Sequence, residues 1–265
     1  MSVFRRLFSR DKTATPPRHA LAMVMLGEGA TFSAPAALDH LVEHWSDLPS
    51  LAGRETGEGA TTVSIPGGAA GMVHIPMPIP AGDIDGPVAV AWHWPGARDA
   101  VSGHRSHVIV HVASTALDLI DVRLLLTKLV ASVLAIADGI GVYVGDAMLV
   151  RSAADFREDA AQASRENLPI LSWIGFNLVS EEAALSAYTT GLTGFGLHEL
   201  EVSRSAMAVP TLLGTLADLA NYQLTSGKVL RDGDTFGDTE LDRKRVRHRP
   251  SQFIPGLTVA ALELS

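Results

Sequence analysis

The longest helical pattern of the sequence runs from Leu117 to Asp138, and its second half, Leu129 to Ala137, is apolar on nearly every face. A helix without a polar stripe is covered by protein on several sides or spans a membrane. The uncharged run is much shorter than the roughly 20 residues that a bilayer requires, and Lys128 directly precedes it. The sequence therefore predicts a buried helix packed on more than one side, and no transmembrane segment. We expect these side chains in the core: Leu125, Leu129 and Val133.

Runs of strand length, bounded by glycine and proline, recur along the chain. They are His19 to Leu26, Thr61 to Ile65, Gly71 to Ile75, Val88 to Trp94, Ser106 to Ala113, Gly139 to Val144, Pro169 to Phe176, Leu197 to Val202 and Leu257 to Leu264. Further helical patterns begin at Pro35 and Pro210 and cover Ala153 to Asn167, and Met77 to Pro87 is predicted to be a loop. We therefore predict an α+β fold of two sheet-plus-helix halves. Duplicated ferredoxin-like units are one hypothesis for these halves.

The chain has 265 residues, enough for one large domain or two of ordinary size. We predict a flexible basic leader over 1–18, an N-terminal half over 19–150 and a C-terminal half over 151–265. The sequence has no cysteine, which excludes disulfides and thiol catalysis and is compatible with the cytoplasm, where we expect the protein. Its net charge of −8 argues against general nucleic-acid binding, so we expect no nucleic-acid partner.

The stretch from Leu185 to Gly237 contains the first group of candidate binding residues. Gly194 and Gly196 suit a turn or the close approach of another segment, directly before an alternating strand. Alternation puts Glu199 and Glu201 on one face of that strand, where we expect them in water or against a cationic neighbour. The glycine spacing reverses the dinucleotide-binding fingerprint, so we predict no nucleotide cofactor here.

Four segments in this order, "GVYVGD", "LPILSWIGF", "TTGLTGFGLHELEV" and "ANYQLTSGKVLRDGDTFG", resemble the bacterial family called domain of unknown function 4261. The resemblance is clearest from about Ala131 to Leu264, half of the chain. It implies no activity, ligand or cofactor, because the family has none that can be carried over.

Histidine spacing provides one candidate for catalysis. His40, Glu43 and His44 match the H-x-x-E-H pattern, in which two histidines one helical turn apart bind Zn²⁺ and the glutamate acts as base. The apolar stripe of this helix passes Leu41 and Trp45, so a solvated helix face is the other interpretation, and no third ligand is evident. A second group, His104, His107 and His111, lies in or beside a predicted strand, where the last two are too far apart to share an ion. We therefore predict no metal site.

The basic run from Arg243 to Arg249 is the strongest charge feature. Arg245 and Arg247 are candidates for binding phosphate or an acidic protein surface, and the other interpretation is an edge strand whose charges prevent aggregation. Trp92 and Trp94 fall on one face of a predicted strand and are expected in the core.

No complete catalytic constellation is present. We therefore expect a non-enzymatic cytoplasmic binding protein, adaptor-like or immunity-like, with an unknown protein partner; the alternative is a zinc-dependent hydrolase using His40, Glu43 and His44.

Overall fold

The computed structural model describes residues 16–57, 59–181, 184–237 and 243–264, so residues 1–15, most of the predicted leader, lie outside it. The described residues form seven α-helices and thirteen strands, arranged in one sheet of seven strands and one of six. This confirms the predicted α+β class. Among these residues, no helix combines the length and the apolar composition that crossing a membrane requires.

The first sheet consists of the strands β1 Arg18–Leu26, β2 Ala52–Gly57, β3 Ala60–Ile65, β4 Gly68–Ile75, β5 Ser106–Ser114, β6 Gly141–Val144 and β7 Leu149–Ser152. The helices in this part of the chain are α1 Ala34–His44, α2 Ala81–Ala89, α3 Ala97–Ser102 and α4 Leu119–Ala137. The second sheet consists of β8 Gly175–Glu181, β9 Ala184–Thr190, β10 Leu200–Ser205, β11 Thr235–Phe236, β12 Lys244–Pro250 and β13 Thr258–Glu263. The remaining helices are α5 Ala153–Ala161, α6 Ile170–Trp173 and α7 Val209–Ser226.

The first sheet is antiparallel throughout and has the order β2-β3-β4-β5-β1-β6-β7. Its apolar face packs against α1 and α4, and α2 and α3 cover part of the other face. The strands β4, β5, β1 and β6 with α1 and α4 follow a split βαββαβ order. The second sheet has the order β11-β12-β13-β10-β9-β8 and a parallel pair, β10 with β13. Because the two orders differ, duplication of one ferredoxin-like unit is not confirmed.

Helix α4 contributes to both cores. Leu125, Leu129 and Val133 are buried against the first sheet, as predicted. Leu124 instead belongs to the core beneath the second sheet, to which α7 contributes Leu212, Leu216, Leu219, Ala220 and Leu224. The helix therefore has protein on more than one side, which explains why its sequence lacks a polar stripe.

Several predicted elements near α2 are wrong. Met77 to Pro87 is not wholly a loop, because α2 covers Ala81–Ala89, and Val88 to Trp94 is not a strand. Helix α2 contains two glycines and Pro87, so its helical propensity is low, and burial of Ile84 and Pro87 stabilises it. Trp92, predicted in the core, is half exposed.

Two further boundaries near the second sheet differ from the prediction. Pro169 precedes the short helix α6 rather than opening a strand, and α5 ends at Ala161 instead of Asn167. The chain between them turns through backbone bonds, including one from the Ala163 N–H to the Ala160 carbonyl. Such local turns leave no signal in hydrophobic periodicity.

Candidate functional site

The glycine turn after β9 needs its glycines for two different reasons. Gly191 and Gly196 have φ angles of 108° and 75°, which disfavour side chains, and a 3-10 turn over Leu192–Phe195 lies between them. At Gly194, a Cβ atom would lie 2.8 Å from Nη2 of Arg123 and 3.0 Å from Oδ2 of Asp146. The turn is therefore packed tightly against another part of the chain.

The carboxylate of Glu199 accepts hydrogen bonds from this turn. Its side chain is 1% exposed, and its Oε1 accepts hydrogen bonds from the N–H groups of Gly191 and Thr193, both at 2.9 Å, and from the Thr193 hydroxyl at 3.1 Å. Its Oε2 accepts from the Thr189 hydroxyl at 2.7 Å. No cation of the described residues pairs with it. The prediction that Glu199 lies in water or against a cation is therefore wrong, because neutral donors surround the carboxylate.

Glu201 is buried completely and does meet a cation, as predicted. The Nη2 of Arg249 lies 3.2 Å from its Oε1, and the Ser251 hydroxyl donates to its Oε2 at 2.6 Å. The Gln252 N–H also donates to this carboxylate, at 3.1 Å. Glu201 thus ties β10 to the end of β12 and to the loop that follows β12.

Three arginines form what we call the arginine row: Arg245, Arg247 and Arg249. They alternate along β12, so they share the face opposite the buried Val246. Arg245 is exposed, and Arg247 is 42% exposed with carboxylates at 3.8 and 3.9 Å. Those carboxylates belong to Glu263 and Asp232, and both are more exposed than Arg247 itself. The ion pairs of Arg247 are long and open to water, so they leave Arg247 able to bind other anions. Arg249 is held more firmly, by Glu201 and by the Ser203 hydroxyl at 2.8 Å.

A contact between the two halves of the chain was not predicted. The guanidinium of Arg123, a residue of α4, is 2% exposed, pairs with Asp146 and lies 5.0 Å from the ring of Phe195. Nearby, Trp173 donates to the Thr127 hydroxyl at 2.8 Å. The sequence held one signal of this contact: Arg123 is a charged residue on a helix predicted to be buried on several sides, and a buried arginine requires a partner. The glycine turn therefore belongs to the junction between the sheets.

The histidines of α1 lie side by side without converging. The rings of His40 and His44 stack at a centroid distance of 3.7 Å and an interplanar angle of 9°, so their in-plane lone pairs run parallel. The Nδ1 atoms already have contacts, with the Ser132 hydroxyl at 3.2 Å for His40 and with the His40 carbonyl at 3.0 Å for His44. Burial, and then the charge of His44, lower the pKa of His40. Nowhere in the described ranges do three His, Asp or Glu side chains group in a way that could hold a metal ion.

Two depressions mark the surface near the second sheet. A cleft of about 930 Å³ lies between the end of α7 and residues 227–237, with Lys228 and Phe236 in its wall. The Nζ of Lys228 is 5.9 Å from the centre of the Tyr222 ring, and its charge faces that aromatic surface. A second groove of about 490 Å³ lies between residues 88–98 and Leu178 of β8.

Residues 188–263 match the family model described as Domain of unknown function (DUF4261), the family that the sequence motifs resemble. The match covers the glycine turn, both buried glutamates, α7 and the arginine row. The segments "GVYVGD" and "LPILSWIGF" come before the matched range. No curated protein and no solved structure matches the chain.

Proposed function

We propose that this protein is a non-enzymatic cytoplasmic binding protein, adaptor-like or immunity-like, which docks an acidic protein surface on the arginine row. The observation that carries this proposal is the placement of Arg245, Arg247 and Arg249 on one face of β12. Arginine is enriched at the energetic centres of protein interfaces, because its planar guanidinium binds carboxylates through two hydrogen bonds.

The charge distribution supports an acidic partner. The whole chain carries −8, whereas the segment from Arg243 to Arg249 carries five of the 21 lysines and arginines. A local excess of positive charge on an acidic protein attracts an acidic partner and orients it as the two proteins associate. The existing carboxylates at Arg247 are 3.8 Å or more away, so a partner that provides shorter contacts can replace them.

Buried Glu201 holds one end of the arginine row in place. Glu201 holds Arg249 at 3.2 Å and also receives the Ser251 hydroxyl. The ring of Phe253, in the same loop, stacks on Tyr188 at 5.2 Å. These contacts restrict β12 and the following loop to one arrangement, which lowers the entropy cost of binding.

The test compares the wild type with the variant Arg245→Glu/Arg247→Glu, and Arg157→Glu is the matched control. Arg157 is exposed on α5, and its only described contact is a hydrogen bond to the Ala153 carbonyl. Proteins retained from a bacterial lysate by each immobilised form are identified, purified and titrated by calorimetry at two salt concentrations. We expect an acidic protein whose Kd rises at least tenfold in the double variant, is unchanged in the control, and rises with salt.

Two results would contradict the proposal. Equal retention of every protein by the wild type and the double variant would show that no protein partner docks on the arginine row. If inorganic phosphate binds in a way that depends on Arg245 and Arg247, and no protein does, the row is a site for small anions instead. Melting temperatures of all variants confirm that each one folds.

A further inference from the structure

Among the strands that the structure describes, β8 ends the second sheet and pairs on one side, with β9. A strand paired on one side leaves the N–H and C=O groups of alternate residues without sheet partners. The indole N–H of Trp92 donates to the Phe176 carbonyl at 2.8 Å, which indicates that Phe176 faces the open side. By alternation, the backbone groups of Leu178, two residues further along, face the same side.

An apolar groove adjoins this open edge. It holds about 490 Å³ and is lined by residues 88–98 of the α2–α3 segment on one side and by Leu178 on the other. Val90 is 40% exposed and Trp92 is 50% exposed, so two large apolar side chains face water within the lining. Edge strands are normally shielded by charge, proline or a covering loop, and here Trp92 covers only the first part of β8.

One positively charged residue, Arg98, lies in the wall of the groove. Arg98 is exposed, and its guanidinium forms no ion pair or hydrogen bond with any part of the chain that the structure describes. A charge that a ligand covers without pairing loses hydration and reduces affinity, so Arg98 favours a carboxylate in a ligand that covers it.

We infer that β8 and this groove bind an extended peptide of another protein, which adds to the second sheet as a further strand. The peptide's backbone pairs with Leu178, one of its apolar side chains enters the groove beside Val90 and Trp92, and a carboxylate reaches Arg98. Main-chain bonds supply affinity in this mode of recognition, and the side-chain pocket supplies specificity. The inference does not rest on the arginine row, which belongs to β12 near the opposite edge of the sheet.

The probe is a displayed library of random octapeptides, selected against the full chain, followed by synthesis of the most enriched sequence. We expect the enriched peptides to combine an apolar side chain with a nearby Asp or Glu, and to bind with micromolar Kd by fluorescence polarisation. The variant Leu178→Pro removes an N–H that faces the open edge, a place where strands tolerate proline, so it keeps its fold and loses binding at least tenfold. The variant Arg98→Gln loses binding of acidic peptides, whereas Arg157→Glu does not.

A methylated version of the peptide provides a second test that leaves the protein unchanged. N-methylation at alternate peptide bonds blocks strand pairing, so one of the two alternating sets of methyl groups abolishes binding and the other does not. Failure to enrich any peptide over empty resin would overturn the inference, as would peptides that bind equally to the wild type, Leu178→Pro and Trp92→Ser. A concentration-dependent dimer that Leu178→Pro abolishes would identify a second copy of this chain as the occupant, and this result also overturns it.

Discussion

Truncation of Glu199 is expected to destabilise the protein more than almost any other single polar change. The substitution Glu199→Ala leaves four donors without their acceptor: two N–H groups, of Gly191 and Thr193, and the hydroxyls of Thr189 and Thr193. A hydrogen bond to a charged group contributes about 1.5–3 kcal/mol. The four are not additive, because water enters the cavity and the folded state no longer buries a charge. We therefore expect a loss of about 3–5 kcal/mol in the free energy of unfolding.

Two further variants separate hydrogen bonding from burial. Glu199→Gln keeps the shape and one carbonyl oxygen, so it retains most of the hydrogen bonds that Oε1 accepts. We expect its free energy of unfolding to fall by about 1–3 kcal/mol. Glu158→Ala, an exposed glutamate on α5, is the control and should change stability by less than about 0.5 kcal/mol. Urea unfolding followed by circular dichroism measures all three. A Glu199→Ala variant within about 1 kcal/mol of the wild type would show that the carboxylate does not hold the turn.

Three other outcomes are expected. Leu129→Ala, in the core beneath the first sheet, should lower the free energy of unfolding by about 2–5 kcal/mol, and an unchanged thermal melt would contradict the packing of α4. Gly196→Ala should cost about 1 kcal/mol or more, because φ is 75° there; a melt equal to that of the wild type would show that the turn relaxes freely. Burial lowers the pKa of His107 and His111, so their neutral forms contribute stability above the unfolded pKa of about 6.5, and this contribution is lost as the pH falls through the lower folded pKa values. The urea concentration at the unfolding midpoint should therefore decrease as the pH falls below about 6.5, and it should decrease less steeply in His107→Gln.

The elements with strong periodicity were predicted correctly from the sequence. Helix α4, helix α7 and the strand β5 lie where hydrophobic spacing placed them, because each buries a continuous apolar face. The same reasoning failed for α2, whose glycines and proline oppose a helix and whose stability comes from contacts with α3 and β7. Local sequence does not record contacts with distant strands, so this helix gave no signal.

The candidate site divides in the same way. The sequence identified Gly194, Gly196, Glu199 and Glu201 as unusual, because their spacing is local. It did not show that Glu199 is surrounded by backbone N–H groups, since those donors come from the turn's three-dimensional path.

The pairing of Arg123 with Asp146 was beyond sequence reasoning because 23 residues separate them along the chain.

The sequence by itself determined the α+β class, the buried helix α4 and the alternation that places Arg245 and Arg247 on one face of β12. Only the tertiary structure decided which charges are buried, which sheet edge is open and which side chains line a groove. Periodicity fixes the direction of a side chain relative to its own strand or helix, whereas burial depends on what other elements cover it.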